Sequence, residues 1–103
     1  MYRMDHAYKR HRYWLKCDEL EKLPSEYFLE NVYMTFQDDW SAFQLKDHMN
    51  INRLMWANDF PHSDATWHWS QEMLAEHAAG LTEAERDRIV HDNVAELYGL
   101  QVA

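Results

Sequence analysis

The sequence predicts an α/β fold in which two parallel strands alternate with helices. Two apolar segments rich in strand-forming residues, Asn31–Phe36 and Arg53–Asn58, are separated by a stretch with helical periodicity. Helical patterns also precede the first segment and follow the second, and this alternation is typical of parallel βα units. Because a parallel sheet needs cover on both faces, two strands are too few, and we expect a slice of a larger fold.

Local signals in the first third of the chain predict a helix, a break and a strand. Met4–Glu21 has apolar residues at helical spacing. Leu23-Pro24-Ser25 should break this helix and lead into a short turn, because the residue before a proline disfavours the helical conformation. Asn31–Phe36 has apolar residues at both odd and even positions, which favours a strand buried on both sides.

Three further helices are predicted: about Trp40–Met49, Thr66–Ala79, and a last one that begins at the capping box Thr82-Glu83-Ala84-Glu85. Gln37-Asp38-Asp39 precedes the first of them, and a carboxylate there can accept backbone N–H groups. Gly80 and Gly99 should end the other two in the left-handed conformation. Four apolar side chains of the last helix are expected to point inward: Ile89, Val90, Val94 and Leu97.

Composition limits the class of protein. A chain of 103 residues with 47% hydrophobic content fits one domain with a modest core, and we expect residues 1–103 to form a single, partial domain. The net charge of −8 argues against a nucleic-acid partner, since a phosphate backbone requires a basic surface. No stretch approaches about 20 apolar residues, which predicts no membrane partner. A single cysteine, Cys17, favours the reducing cytoplasm.

Candidate chemistry lies after the second predicted strand, where Asn58, Asp59 and His62 follow one another closely. In α/β folds the carboxyl ends of the strands form the site, and a rigidly held Asp there can bind a metal or take a proton from water. The alternative is that Asp59 caps backbone groups of the next loop, and periodicity alone slightly favours it. Asp-x-x-His is a weak metal motif by itself, because a site needs three or four ligands. The sequence has no HxH pair, HExxH motif or Gly-rich phosphate loop.

Three ordered segments carry a family resemblance: LPSEYFLENVYMTFQDD, RLMWANDFPHSDATWHWS and LTEAERDRIVHDNVAELYGL. Over Leu23–Leu100 the chain resembles the C-terminal end of the amidohydrolase-related family, which includes aminocarboxymuconate-semialdehyde decarboxylase and related metal-dependent hydrolases. The resemblance implies the C-terminal segment of a (β/α)₈ TIM barrel, with two parallel strands and four to five helices. It also implies one divalent metal, most often zinc, and hydrolysis or nonoxidative decarboxylation of a small carboxylic or aromatic acid or a lactone-like ester.

The resemblance assigns roles to four residues. Asp59 corresponds to the Asp that ends the family's eighth strand, which makes it the implied catalytic and metal-binding residue. His62, Asp64 and Trp67 match the loop that borders the substrate pocket. Asn31–Phe36 would be strand seven. The family's HxH pair and middle histidines have no counterpart here, so we expect this chain alone to hold no metal and to be inactive.

A second interpretation belongs to another class of protein. The chain would be a noncatalytic fragment or module that pairs with itself, as a homo-oligomer, or with an N-terminal partner chain. The apolar strand Val32–Phe36 motivates this interpretation, because uncovered strands attract partners. A split gene's second half would fit either interpretation.

Overall fold

The computed structural model describes residues 1–101 in two compact units, one over Met1–Val32 and the other beginning at Tyr33. The first unit consists of the helices α1, Tyr2–His11, and α2, Pro24–Asn31. The carboxylate of Asp5 on α1 accepts hydrogen bonds from the backbone N–H (2.9 Å) and the hydroxyl (2.7 Å) of Ser25 on α2. These bonds join the two helices at the first turn of α2.

Two predictions about the first unit are wrong. The helix predicted over Met4–Glu21 ends at His11, and Lys16 in the following turns has φ = 53°. The N–H of Leu20 donates to the hydroxyl of Tyr8 at 2.8 Å, so this segment turns back onto α1. Pro24 begins α2 instead of leading into a short turn, because its fixed φ suits the first helical position and its missing N–H needs no partner there.

The second unit contains a two-stranded sheet and the remaining helices. Strand β1 is Met34–Phe36 and strand β2 is Leu54–Trp56, both shorter than the predicted segments. The two strands pair in parallel, as predicted, with Met34 opposite Leu54. The helices are α3, Trp40–Gln44; α4, Ser70–His77; α5, Glu83–Asp87; and α6, Asn93–Tyr98. A π-helical turn, Arg88–Asp92, joins α5 to α6, and 3₁₀ turns occupy Lys46–His48 and Ile51–Arg53.

One face of the sheet packs against the helices. Phe43 of α3, Leu54 of β2, Leu74 of α4 and Ile89 of the π turn are each 1% exposed and form the centre of the core. Partly buried side chains of both strands pack against them: Met34, Phe36 and Trp56. Fully burying such side chains contributes about 1.5–3 kcal/mol each, so this face is the main source of stability in the unit.

The opposite face of the sheet is unevenly covered. Strand side chains alternate, so Thr35 and its partner Met55 share this face. Met55 is 6% exposed, whereas Thr35 is exposed. The expectation that Asn31–Phe36 is buried on both sides is therefore wrong for this chain, because the helices of the described core gather on the other face.

The C-terminal helical stretch confirms its predicted boundaries. The N–H of Glu85 donates to the Thr82 hydroxyl at 3.3 Å, and the Thr82 N–H donates to the Glu85 carboxylate at 2.9 Å, which completes the capping box. At the other end Gly99 has φ = 63°, and the N–H of Leu100 reaches the carbonyl of Ala95 at 2.9 Å. No helix within residues 1–101 is both long enough and apolar enough to cross a membrane.

The predicted bounds of the two middle helices are wrong, and so are two details of the helices that follow β2. The helix expected to reach Met49 stops at Gln44, and the one expected from Thr66 starts at Ser70, after tight turns. Gly80 does not have a positive φ, because that helix ends earlier, at His77. Leu97 is 40% exposed instead of pointing inward, and it lies in the last turn of α6, beyond the buried Asn93 and Ala95.

Candidate functional site

The corner, residues 58–64, follows β2 at its carboxyl end. The N–H of Ala57 donates to the carbonyl of Phe36 at 3.0 Å, so the strand pairing continues up to the start of the corner. Asp59 has φ = 60°, a left-handed conformation that Asp tolerates better than most residues, and the Phe60–Pro61 peptide bond is cis. The left-handed conformation of Asp59 makes the chain turn at the residue that the sequence singled out.

The Asp59 carboxylate has His62 as its partner. Oδ2 of Asp59 lies 2.9 Å from Nδ1 of His62, and the His62 N–H donates to the Asp59 carbonyl at 2.9 Å. Both side chains are open to solvent, with 44% of Asp59 and 74% of His62 exposed. Solvent screens the attraction in such an exposed pair, so it orients the two groups more than it stabilises the fold.

Asn58, instead of Asp59, caps a backbone N–H group of the loop. Oδ1 of Asn58 accepts the N–H of Phe60 at 3.1 Å, and the backbone carbonyl of Asn58 accepts the N–H of Thr66 at 3.0 Å. Among the described contacts, the Asp59 side chain bonds to the imidazole of His62 and to no backbone N–H. In this loop the backbone is therefore capped by Asn58, while the Asp59 side chain contacts His62.

Asp59 borders an open depression of about 230 Å³ at the carboxyl ends of both strands, lined also by Thr35, Phe36, Gln37 and Ala57. Ala57 follows Met55 at an alternate position, so it belongs with Thr35 to the face away from the core helices. Asp59 lies beyond the strand and borders the depression from the corner. A small molecule approaching this end of the sheet would meet the Asp59 carboxylate.

The other predicted loop residues lie in different surroundings. Asp64 accepts the Gln37 side-chain amide at its carbonyl (3.1 Å) and at Oδ2 (3.3 Å), which ties it to the end of β1. Trp67 is 52% exposed and lies 5.5 Å from the Phe60 ring, beside a separate groove that Trp56 and His68 also line. The structure thus joins Asp59 to His62, whereas Trp67 does not line the Asp59 depression.

Gln37 is a site residue that sequence reasoning missed, because it was taken only as part of a helix start. It lines the depression, and its carbonyl accepts the indole N–H of Trp56 at 3.0 Å. Its position directly after β1 was the available signal, since the carboxyl ends of parallel strands meet at one edge of a sheet.

The donor groups of the described residues are too few for the metal that the resemblance implies. No three side chains among His, Cys, Asp and Glu in residues 1–101 are grouped so that they could hold a metal ion. Asp59 and His62 supply two donor groups, and a zinc site needs three or four. The described residues by themselves therefore do not fit a metal.

The amidohydrolase family model matches residues 3–100, which is nearly the whole chain and spans both structural units. The chain therefore belongs to the amidohydrolase family, a family of metal-dependent hydrolases and related enzymes. A search among curated proteins found no significant match. The predicted single partial domain and the predicted roles of the site residues stay predictions.

Proposed function

We propose that the chain supplies strands seven and eight of a (β/α)₈ TIM barrel, in an amidohydrolase of the aminocarboxymuconate-semialdehyde decarboxylase-like group. The family match supports this proposal, as do two parallel strands with helices on one face, the arrangement of consecutive βα units in such a barrel. The reaction is hydrolysis or nonoxidative decarboxylation, and the substrate is a small carboxylic or aromatic acid or a lactone-like ester.

Asp59 is the acid–base group in this proposal. The observation that supports it most is that the partly exposed carboxylate borders a depression formed by the ends of both strands. His62 engages Oδ2 and thereby orients the carboxylate, so that the other oxygen can face the reactant. In hydrolysis Asp59 takes the proton of the attacking water, and in decarboxylation it returns a proton to the carbon that has lost CO₂.

The proposal places Asp59 also beside one divalent metal, zinc, in the complete enzyme. Because the described residues do not fit a metal alone, the remaining ligands must come from strands that this chain does not supply. We expect the isolated chain to be inactive. His62, Asp64 and Trp67 form the substrate loop in this proposal.

The test is Asp59→Asn in the complete enzyme, or in this chain reconstituted with a partner that carries the missing strands. We expect kcat/KM to fall by about 10²–10⁴, the usual cost of losing a general acid–base group. Asp18→Asn is the matched control, since it makes the same charge change at an exposed residue of the first unit. Asp59→Asn activity within a few-fold of the control would overturn the assignment.

A second candidate function is a noncatalytic module that pairs with itself or with an N-terminal partner chain. Within the described residues each strand has one paired neighbour, and Thr35 is exposed on the face away from the core. Unpaired strand edges and uncovered faces attract partners. Light scattering coupled to size exclusion should show a dimer or a complex with a partner chain. A well-folded monomer that does not bind an added N-terminal barrel segment would argue against pairing.

A further inference from the structure

Gln37 links the end of β1 to both sides of Asp59. On the strand side, the Gln37 carbonyl accepts the indole N–H of Trp56 at 3.0 Å. On the loop side, Nε2 of Gln37 donates to the carbonyl and the carboxylate of Asp64, at 3.1 and 3.3 Å. The two anchor points flank Asp59 in the sequence, so one residue connects the strand end to the whole corner.

The orientation of the Gln37 amide is fixed by Asp64. Both Asp64 atoms are acceptors, so only the NH₂ end of the amide can face them. Oε1 of Gln37 is then buried without a hydrogen-bond partner among the described residues. A buried acceptor without a partner destabilises a fold, and an apolar side chain of similar length would avoid that penalty. Stability of the core therefore does not explain a glutamine here.

We propose that Gln37 is a positioning residue, which holds residues 59–64 through Asp64 and so fixes the direction of Asp59 at the depression. This inference rests on the proposed role of Asp59. The two hydrogen bonds to Asp64 hold the loop in place. The same amide orientation leaves Oε1 of Gln37 buried without a hydrogen-bond partner among the described residues, which is unfavourable. Unfavourable local features of this kind cluster at functional sites, where the surrounding structure maintains them.

The test is amide hydrogen exchange in the full chain carrying Gln37→Met, together with denaturant unfolding. The N–H groups of Phe60 and His62 report on the corner, because they donate to Asn58 Oδ1 and to the Asp59 carbonyl. We expect their exchange to accelerate about tenfold, as the loss of hydrogen bonds of this kind allows, with the free energy of unfolding unchanged or higher. Gln44→Met, at the exposed end of α3, is the matched control and should alter neither quantity.

A pair of substitutions that swaps the donor and the acceptor makes the test sharper. Gln37→Glu removes the donor and sets a carboxylate against that of Asp64, so corner exchange should accelerate further than with methionine. Adding Asp64→Asn restores a donor–acceptor pair with its direction reversed, and exchange should return toward that of the native chain. A double variant that exchanges as fast as Gln37→Glu alone would overturn the proposal.

Two results with Gln37→Met would also overturn it. One is unchanged exchange at Phe60 and His62. The other is acceleration throughout the second unit with a matching loss of unfolding free energy, since Gln37 would then support the fold as a whole. Neither result depends on catalysis, and Asp59→Asn tests the proposed function separately.

Discussion

The two faces of the β1–β2 sheet differ in how far the helices of this chain cover them. On the helix side, Leu54, Phe43 and Ile89 are each 1% exposed, so the chain itself supplies that part of its core. On the other side Thr35 is exposed, and the Asp59 depression opens at the carboxyl ends of the two strands. Stability is therefore concentrated on one face, and candidate chemistry lies at the edge of the other.

The largest effect on stability should come from the helix-covered face. Leu74→Ala removes a 1%-exposed side chain from the centre of the core, and we expect it to lower the free energy of unfolding by about 2–5 kcal/mol. Thr35→Ala, on the opposite face, should change it by no more than about 0.5 kcal/mol. Denaturant unfolding of both variants measures the contrast, and equal losses would show that both faces support the fold alike.

A smaller effect, dependent on pH, should come from the ion pair between Lys46 and Glu85. Lys46 lies 2.7 Å from Glu85, and with the Thr82 hydrogen bonds it lowers the pKa of Glu85 from 4.5 to about 2. A carboxyl whose pKa is depressed on folding stabilises the fold above its unfolded pKa and loses that contribution as pH falls through the folded one. The contribution of Glu85 should therefore be complete above about pH 4.5 and vanish near pH 2.

Glu85→Gln tests this pH dependence. The difference in unfolding free energy between the native chain and the variant should shrink as the pH falls from 4.5 toward 2. The difference should stay modest and fall with added salt, because the Glu85 side chain is 30% exposed. Glu83→Gln is the matched control, since it removes the same charge from an exposed residue of the same helical turn. A difference that is constant with pH would contradict the role of the Lys46 ion pair.

The features that sequence predicted correctly are those set by local chemistry. The parallel strands followed from apolar runs, and the capping box at Thr82 and the turn at Gly99 followed from residue types with fixed conformational preferences. The helix at Pro24 was missed because a proline both ends one helix and favours the first turn of the next. Only tertiary contacts decide between these two outcomes.

The candidate site was predictable in part. Asp59 was singled out from its position after a strand and from the family resemblance. The structure places it in a left-handed conformation beside His62, and its functional role stays a prediction. The connection between Gln37 and Asp64 spans 27 positions in the chain, so no local pattern could reveal it. The role of Asn58 as the backbone cap was hidden for a simpler reason, since Asp and Asn are equally suited to capping.

The last turn of α6 has a practical consequence for labelling the protein. The sequence pattern predicts that Leu97 points inward, but Leu97 is 40% exposed, whereas Asn93 one turn earlier is 1% exposed. A spectroscopic label or crosslinker attached at Leu97 would therefore project into solvent. The choice of attachment sites in α6 should follow the observed exposure of each side chain instead of a helical-wheel projection.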